Sequence, residues 1–379
     1  MSVRVCCITH LDIQRENGPT LHVRGIADGF AHLGLHVDLV ASGFGEKYCP
    51  KGKLVSLTDK QPTSPLEHLR FQLRILRFLA ARRGRYDWLY VRAGSFMLTP
   101  LYRLVAGTPV ALEINGIPYL ETNFPRLLRA LVRCLFTWQV RDARRCLTVT
   151  PELQAYANRL GQQHAHTIPN GVDSRTVRAA SCSRPAYPRR PERPEHRLVF
   201  VGALHAWQGV HLAVEAVGEL TRAGHPVRLE ILGDGPERAA LTALAARLGI
   251  ADRVHLRGHV DRETIHAALR DADMAVAPFI PNERNRAVGG LSPLKLYEYL
   301  AFDLPVITTP LISDRELFDA LPDSVILVPP EAQAIAEAIL GAARTEASQP
   351  QSGQWIARHR TWDAAALRTA AAMNMEVQP

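Results

Sequence analysis

A loop that leads into a helix carries the residues of this chain best suited to chemistry. The stretch Gly289–Ala301 places a cation, Lys295, and an anion, Glu298, one turn apart at the start of a helical segment. A helix N-terminus exposes free backbone N–H groups and the positive end of its dipole, so together with Lys295 it can hold a diphosphate. Glu298 can accept hydrogen bonds from the hydroxyls of a ribose or hexose. It could also be a solvated first-turn glutamate that the dipole stabilises.

Two further glycine turns follow short apolar runs in the same half of the chain. One extends from Gly202 to Gly209, and the other is Gly233-Asp234-Gly235. Glycines permit positive φ and the close approach of a ligand, and each turn leads into a segment of helical period, which suits a phosphate. Tight strand-to-helix turns also need glycines, so a purely structural role is an equal alternative. Neither turn matches G-x-G-x-x-G, which argues against a Rossmann dinucleotide site.

Short apolar runs rich in β-branched residues alternate with longer segments of helical period along the whole chain. This pattern predicts the α/β class, with parallel sheets covered by helices. A helix from about Leu21 to Leu33 is predicted, and Gly34 is placed to end it. The predicted strands are Val3–Thr9, His36–Ala41, Trp88–Arg92, Val110–Ile114, Cys146–Thr150, Leu198–Val201, Arg228–Leu232, Val254–Leu256, Met274–Ala277, Val306–Thr309 and Val325–Val328.

A proline-rich segment separates two such alternating regions. Its four prolines break any helix or central strand in residues 184–197, so we predict an interdomain linker there. The length of 379 residues also suggests about two domains. We therefore predict two doubly wound Rossmann-like domains, residues 1–183 and 198–350, that face each other across a ligand-binding cleft.

The composition excludes several classes of protein and shows an uneven charge. The formal total is +8, but the residues up to Arg184 carry a net +12 and the rest a net −4. A hydrophobic fraction of 47% without a short repeat excludes collagen, a coiled coil and wholesale disorder. Six cysteines without paired spacing favour neither zinc nor disulfides, so reduced thiols in a cytoplasm are expected. We expect neither a signal peptide nor a membrane-spanning helix, because no sufficiently long apolar run is present.

Several motifs in a fixed order resemble those of a known enzyme family. They are IPNGVD (Ile168–Asp173), FVGALHAWQGV, LEILGDGPER, DRVHLRGHV (Asp252–Val260), SPLKLYEYLAFDLPVITT and HRTWD (His359–Asp363). As an ordered set they resemble the retaining GT-B glycosyltransferases of family four, or group 1, along nearly the whole chain. The resemblance implies transfer of a hexose from a nucleotide sugar to an acceptor hydroxyl. It also implies that a C-terminal helix in residues 351–379 returns to the first domain.

The resemblance assigns roles to individual residues. Glu298 would bind the nucleotide ribose, and Gly18 would lie in a loop that approaches the donor sugar. Asn115 and Glu113 lie where the family places its residue near the anomeric carbon, and with Lys295 they form the predicted catalytic set. The other predicted donor-binding residues are Gly202, Gln208, Gly209, Gly233, Gly235, His259, Val260, Gly290, Leu291, Ser292, Leu294 and Leu296.

The chain departs from the family pattern in three places. Gly290 replaces the family's first glutamate, and Asn115 replaces its catalytic-region histidine. Ala203 and Gln208 replace the arginine and lysine that usually bind the diphosphate. Charge neutralisation must therefore come partly from other groups. The candidates are Lys295, Arg284, Arg286, Arg92 and the helix amides.

We expect a reaction without metal or cofactor. Catalysis would depend on stabilising the leaving nucleoside diphosphate while the acceptor hydroxyl attacks from the same face. Asp271 and Asp273 form a D-x-D pair, but they precede a predicted strand at a helix end, where a structural role is expected. The nucleotide sugar and an acceptor alcohol are the expected ligands.

Two arginine-rich segments of helical period, Leu66–Arg85 and Pro125–Arg145, account for much of the positive charge. Such helices suit an anionic membrane surface, and thus a cytoplasmic protein that binds peripherally to the inner face of the membrane. Packed helices with solvated arginines explain the same pattern. No nucleic-acid-binding motif accompanies the charge, so nucleic acid is not an expected partner.

Two alternative functions stay open at the level of the sequence. The same architecture serves nucleotide-sugar epimerases, since a fold does not fix a function. The altered positions are also compatible with a weak or silent homologue that binds a nucleotide or a protein partner. Release of nucleoside diphosphate distinguishes a transferase from both.

Overall fold

The computed structural model describes residues 3–48, 50–181, 195–282, 290–344 and 352–376. The chain forms two compact units. The first comprises Met1–Gly171, Ala287–Ser292 and Thr361–Pro379, and the second comprises the remaining residues, Val172–Arg286 and Pro293–Arg360. Most of the predicted linker lies outside the described residues, and its last two residues, His196 and Arg197, already belong to a strand.

The first unit contains a parallel sheet of seven strands. The strands are β1 (Arg4–Asp12), β2 (His36–Ser42), β3 (Lys53–Thr58), β4 (Trp88–Arg92), β5 (Val110–Ile114), β6 (Arg145–Thr148) and β7 (Ala165–Thr167). Their order in the sheet is β3-β2-β1-β4-β5-β6-β7. The direction of winding reverses between β1 and β4, which is the switch point where an α/β sheet offers a crevice beyond its carboxyl edge.

Helices connect these strands, and a helix from the C-terminal end of the chain joins them. Those of the first unit are α1 (Gly18–His32), α2 (Pro65–Ala80), α3 (Thr99–Ala106), α4 (Pro118–Glu121), α5 (Arg126–Asp142), α6 (Pro151–Arg159) and, near the end of the chain, α15 (Trp362–Ala372). Helix α1 begins three residues before the prediction, because Asn17 and Thr20 form a capping box at its start. Gly34 ends it with a φ of 77°.

The second unit contains a parallel sheet of six strands. They are β8 (His196–Val201), β9 (Val227–Leu232), β10 (Val254–Gly258), β11 (Met274–Ala277), β12 (Val306–Thr308) and β13 (Val325–Leu327), in the order β10-β9-β8-β11-β12-β13. Its helices are α7 (Ser174–Ser181), α8 (Val210–Arg222), α9 (Arg238–Arg247), α10 (Arg262–Asp271), α11 (Leu294–Ala301), α12 (Arg315–Ala320), α13 (Ala332–Arg344) and α14 (Ser352–His359). Both sheets are doubly wound, which confirms the predicted fold class.

The return of the C-terminal helix to the first unit is confirmed, with a difference in extent. The ring of Trp362 on α15 covers Gly25 of α1, where a Cβ would lie 2.3 Å from the indole. Helix α14, in contrast, stays in the second unit, because its first residues bind Asp303: the Gly353 N–H donates to Asp303 Oδ1 at 2.7 Å. The segment 351–379 is therefore two helices in two units. Among the described residues, no helix has the length and apolar character needed to cross a bilayer.

Candidate functional site

The second unit presents a helix N-terminus with unused donors. Helix α11 starts at Leu294 after Pro293, which offers no side-chain cap. Within the described residues, the N–H groups of Leu294 and Lys295 make no hydrogen bond. The N–H of Leu296 donates to Pro293 O at 3.2 Å and its side chain is fully buried, so Leu296 is a core residue and does not provide a free amide. The N–H groups of Leu294 and Lys295 thus remain available to an anion.

Lys295 is the one cation on this helix, and its ammonium is largely enclosed. Nζ donates to Gln208 Oε1 at 2.7 Å. It also lies 3.9 Å from the centroid of the Phe200 ring and 5.7 Å from that of Phe279. Burial lowers the pKa of Lys295 to about 7, although the nearby Glu298 carboxylate opposes this shift. The lysine is therefore poised to gain or lose its proton near neutrality.

Gly202 makes room for Lys295, and Gly209 permits the close approach of the backbone at Pro278. Gly202 has a φ of 143°, and a Cβ there would lie 2.5 Å from Lys295 Nζ. Gly209, with a φ of 67°, would bring a Cβ within 1.8 Å of Pro278 O. Gln208, between these glycines, is buried and accepts from Lys295, so the residue that replaces the usual family lysine supports a different lysine.

The second glycine turn is shaped by packing. A Cβ at Gly233 would lie 2.0 Å from Gly202 O, and one at Gly235 would lie 2.6 Å from Leu204 O. Their N–H groups already donate, Gly233 to Gly258 O at 2.8 Å and Gly235 to its neighbour Asp234 Oδ1 at 2.8 Å. These two glycines fix the course of the backbone and present no free amide.

Glu298 is held by an arginine that sequence reasoning missed. Its Oε1 accepts from Arg262 Nη1 at 2.6 Å. Arg262 is the first residue of α10, which follows the predicted donor-binding residues His259 and Val260 at the carboxyl end of β10. The ion pair fixes the direction of the carboxylate and leaves Oε2 without a hydrogen bond from the described residues.

The first unit contains a buried cluster around Glu113, which is only 2% exposed. Glu113 Oε1 accepts from Asn115 Nδ2 at 2.6 Å, contacts His22 Nε2 and lies 3.7 Å from Arg92 Nη1. Burial alone would raise the pKa of Glu113, but the His22 and Arg92 charges outweigh burial and lower it. Glu113 is thus an enclosed carboxylate that positions Asn115, and its burial argues against direct contact with a ligand.

A chain of hydrogen bonds orients the ring of His22. Asn170 Nδ2 donates to Ser292 O at 2.6 Å, so Asn170 Oδ1 faces His22 Nδ1 at 2.6 Å. An amide oxygen only accepts, and therefore Nδ1 carries a proton. On the other side of the ring, Nε2 contacts the Glu113 carboxylate. Ser292 of the predicted phosphate loop is thereby linked to Asn115 through the half-buried Asn170 and the buried His22 and Glu113.

Other predicted residues of the first unit occupy different positions from those expected. Gly18 is the first residue of α1 and does not lie in the preceding loop, which Arg24 holds by donating from Nε to Ile13 O at 2.9 Å. Gly290 is buried, and Leu291 follows it in the first unit. Arg284 and Arg286 lie outside the described residues.

The D-x-D pair has a structural role. Asp273 Oδ2 accepts from the Arg197 N–H at 2.9 Å, and Asp271 forms an ion pair with the Arg197 side chain. Both aspartates thus hold the start of β8 at the amino edge of the sheet. The free amides of α11 lie beyond the opposite edge.

Sequence reasoning missed His22, Asn170 and Arg262 as site residues. Two weak signals pointed to the first two. His22 is a polar residue on the buried face of an amphipathic helix, and Asn170 belongs to the quoted IPNGVD motif. Nothing in the sequence pairs Arg262 with Glu298, because that contact joins two helices 36 residues apart.

Comparison with known proteins gives two family matches. The family described as Glycosyltransferase Family 4 matches residues 17–176, and the one described as Glycosyl transferases group 1 matches residues 195–344. Together they cover most of both units.

Individual relatives match over shorter regions. The 2-deoxystreptamine glucosyltransferase of Streptomyces kanamyceticus is 29% identical over 202 residues, 48% of this chain and 52% of that protein. The GDP-mannose-dependent alpha-(1-6)-phosphatidylinositol dimannoside mannosyltransferase of Mycobacterium tuberculosis is 30% identical over 204 residues, 54% of this chain and 47% of that protein. The chain thus spans about half the length of the curated relatives it matches.

A solved structure of similar fold is HepE of Anabaena in complex with UDP and glucose. The TM-score is 0.70 over 98% of this chain and 99% of that one, at 15% identity. At this identity the likeness establishes the fold of the chain.

Proposed function

We propose that this chain, which belongs to the GT-B glycosyltransferases of group 1, transfers a hexose-type sugar. The donor would be a nucleoside-diphosphate sugar and the acceptor a hydroxyl group. The observation that carries the proposal is the start of α11, where free amides, Lys295 and Glu298 stand within five residues. A diphosphate suits the amides and the ammonium, and ribose hydroxyls suit the carboxylate. The product would be a glycan, a glycolipid or a natural-product glycoside.

The chemistry of the transfer follows from the charge that develops on the leaving group. As the bond from the anomeric carbon to the diphosphate breaks, negative charge grows on the departing phosphate oxygen. Preorganised amides and Lys295 would stabilise that charge, which is the main source of catalysis in such a site. The acceptor hydroxyl would attack from the same face, with retention of configuration.

Asn115 suits this mechanism, which needs no nucleophilic side chain. Its Nδ2 donates to Glu113, so the carbonyl oxygen Oδ1 is the atom of this amide that would meet a ligand. A neutral carbonyl oxygen can accept from a sugar hydroxyl but forms no stable covalent intermediate. Glu113 and His22 would act as positioning residues that keep this amide in one orientation.

The test of the proposed function is donor binding followed by product analysis. A thermal-shift panel of UDP-, GDP-, dTDP- and ADP-sugars identifies the donor, because a tight ligand raises the unfolding midpoint. Release of nucleoside diphosphate with an alcohol acceptor, and the anomeric configuration of the product, then test transfer and retention. Binding without release would support the silent homologue instead. The named relatives are transferases, so the epimerase alternative gains no support.

Replacing Glu298 with alanine is expected to weaken donor binding by about 1–3 kcal/mol, because ribose hydroxyls lose a charged acceptor. Isothermal titration with the donor found in the panel measures this change. Glu337→Ala, which removes an exposed glutamate of α13, is the matched control. An unchanged donor affinity in the Glu298 variant would remove the ribose assignment.

Donor turnover is expected to continue without divalent metal, since amides and Lys295 replace the metal as the positive partner of the diphosphate. Both members of the D-x-D pair are occupied with Arg197, which supports this view. Initial rates in excess EDTA, with and without added magnesium or manganese, measure the dependence. Loss of turnover in EDTA and its recovery with metal would contradict metal independence.

We propose that the chain binds its acceptor at a membrane surface. The basic first half would be attracted to an anionic surface, and a lipid-linked acceptor would then place the protein on the cytoplasmic face of the membrane.

A further inference from the structure

We propose that the outer faces of α2, α3 and α5 form a docking surface for an anionic lipid bilayer, and that an arginine-lined hollow at its end binds lipid phosphate groups. The inference deepens the proposed function, because a bilayer would supply a lipid-linked acceptor. It does not depend on turnover, since binding to lipid can be measured without a donor. We call these outer faces the leucine face and the cavity at their end the arginine hollow.

Helix α5 carries two apolar stripes. One is buried against the sheet and contains Val132, Phe136 and Val140. The other faces solvent and contains Leu127, which is 89% exposed, together with Leu131 and Trp138. The spacing of four and seven residues places these three side chains along one side of the helix. A helix that packs on one side of a globular domain needs only the buried stripe. We therefore expect the exposed stripe to contact a partner.

Helix α2 repeats this arrangement. Phe71, Ile75 and Phe78 face the core, whereas Leu66, Leu69 and Leu73 are about half exposed. Helix α3 packs against both α2 and α5 and adds Leu104, which is 65% exposed. The exposed leucines therefore belong to one continuous layer of helices on the first unit.

The charge on the leucine face is positive. Exposed arginines stand between the leucines on both long helices: Arg70, Arg74, Arg77, Arg126, Arg129 and Arg133. The acidic side chain of α2, Glu67, is occupied with capping the helix, where it accepts from the Thr63 and Ser64 N–H groups. Apolar side chains flanked by arginines match the acyl chains and the anionic headgroups of a bilayer.

The arginine hollow lies where α3 and α5 end, and it has a volume of about 890 Å³. Its lining includes Arg83, Arg103, Leu104, Arg141, Asp142, Arg144 and His164. Leu104 belongs to both regions, so the hollow continues the leucine face. Both helices run antiparallel to the strands, which places the hollow at the amino edge of the sheet.

Its arginines are oriented but retain unused donors. Arg83 Nη1 donates to Val105 O at 3.3 Å, and Arg141 Nε donates to Leu160 O at 2.8 Å, which ties both to helix C-termini. Arg103 neutralises the one carboxylate, Asp142, through two bonds of 2.9 and 2.7 Å. The Arg144 side chain makes no hydrogen bond or ion pair with the described residues. Four guanidinium groups with one carboxylate therefore leave a strong excess of positive charge for phosphate oxygens.

A bilayer fits both regions at once, whereas other partners fit only one. A soluble phosphate compound would use the hollow but leave the leucines uncovered. A second copy of the chain would cover the leucines but would oppose arginines to arginines if the two faces met symmetrically, which is unfavourable. Charge complementarity therefore favours an anionic membrane.

Co-sedimentation of the full chain with vesicles tests the proposal. Vesicles of phosphatidylcholine alone are compared with vesicles that also contain phosphatidylglycerol, at low and high salt. Strong binding is expected only to the anionic vesicles at low salt, with a decrease as salt rises. No binding to anionic vesicles at low salt would overturn the proposal.

Variants test the contributions of the leucine face and the arginine hollow to vesicle binding separately. Leu127→Gln with Leu131→Gln is expected to reduce vesicle binding at least tenfold, and Arg83→Gln with Arg144→Gln by about fivefold per arginine. The matched controls are Leu367→Gln, an exposed leucine of α15, and Arg222→Gln, an exposed arginine of α8, which should bind as the unchanged chain does. Equal thermal unfolding midpoints for all variants verify that each one folds.

Two further outcomes would overturn the bilayer as the partner. One is concentration-dependent dimerisation in sedimentation velocity that Leu127→Gln abolishes, which would identify a second copy. The other is saturable binding of inorganic pyrophosphate to the arginine hollow in a chain that does not bind vesicles. Neither result would affect donor binding, so the proposed function is tested independently.

Discussion

Replacing Lys295 with methionine is expected to slow donor turnover by about 10²–10³-fold. Methionine keeps the length and apolar packing of the side chain beside Phe200 but removes the ammonium. The lost group would meet the charge that grows on the departing diphosphate, and removal of one such preorganised donor typically costs that factor in kcat. Steady-state release of nucleoside diphosphate measures the effect.

The pH dependence of donor binding provides a second readout of Lys295. In the free protein its pKa is about 7, because burial disfavours the charged form. The diphosphate of a nucleotide sugar stays ionised across this range, so it binds the protonated lysine and raises the lysine's pKa. Donor affinity should therefore be constant below about pH 6 and fall as pH rises above 7, by up to tenfold per unit. Lys295→Met should have a flat profile.

Stability in the absence of donor should change in the opposite direction. An unfolded lysine keeps its proton up to about pH 10.4, whereas folded Lys295 loses it near pH 7. Between these values the unfolded state binds more protons, so this lysine makes the free energy of unfolding rise with pH. Lys295→Met should lose that contribution, and Lys60→Met, at an exposed lysine, should retain it. Identical pH profiles for the unchanged chain and the Lys295 variant would contradict an enclosed, titrating Lys295.

The strands of this fold could be predicted because buried parallel strands read as continuous runs of β-branched residues. Trp88–Arg92, Val110–Ile114 and Met274–Ala277 have the predicted bounds. The sequence pattern did not predict β3, Lys53–Thr58, or β7, Ala165–Thr167. Both lie at the edges of the sheet, where a strand is only half covered or very short and carries little apolar signal.

The site was only partly predictable for a related reason. Lys295 and Glu298 could be found because a helix start is a local pattern. Their partners, Gln208 and Arg262, lie on other elements, and no spacing in the sequence pairs them. Gln208 is instructive, because its replacement of the family lysine suggested a weaker site, whereas in the structure its carbonyl oxygen orients another lysine. Long-range contacts of this kind require the tertiary fold.

The division of the chain shows the same limit. The boundary predicted at residue 183 lies where the proline-rich segment begins. Helix α7, Ser174–Ser181, precedes that boundary but belongs to the second unit. Helix α14 likewise belongs to the second unit, because it packs on α11 and binds Asp303. Prolines mark where the chain is not helical, and side-chain packing decides which unit a helix joins.

Arg360→Met is expected to destabilise the second unit by about 3–5 kcal/mol, the cost of leaving a buried charge without its partner. Arg360 and Asp314 are 1% and 3% exposed. The guanidinium donates to both oxygens of Asp314, from Nε at 2.8 Å and from Nη2 at 2.7 Å. The variant removes both donors, while methionine fills much of the vacated space.

This ion pair gives Arg360 of the HRTWD motif a structural role and connects it to the site. Asp314 Oδ2 also accepts from the Tyr297 hydroxyl at 2.8 Å, and Oδ1 caps α12 by accepting from the Leu317 N–H at 3.1 Å. Tyr297 lies on α11 between Lys295 and Glu298. The buried carboxylate therefore anchors the helix that carries both donor-binding side chains, and loss of Arg360 should loosen that helix first.

Two measurements test this expectation. Urea unfolding gives the change in the free energy of unfolding, and hydrogen exchange of the folded protein reports on each helix separately. Protection in α11 and α12 should fall most, while α1 and α15 of the first unit keep theirs. The matched control is Arg358→Met, at an exposed arginine two residues away, with an expected change within about 0.5 kcal/mol. Adding Asp314→Asn to Arg360→Met should recover part of the loss, since the double variant no longer buries a lone carboxylate. An Arg360 variant as stable as the Arg358 control would mean that packing, and not this ion pair, holds α11 in place.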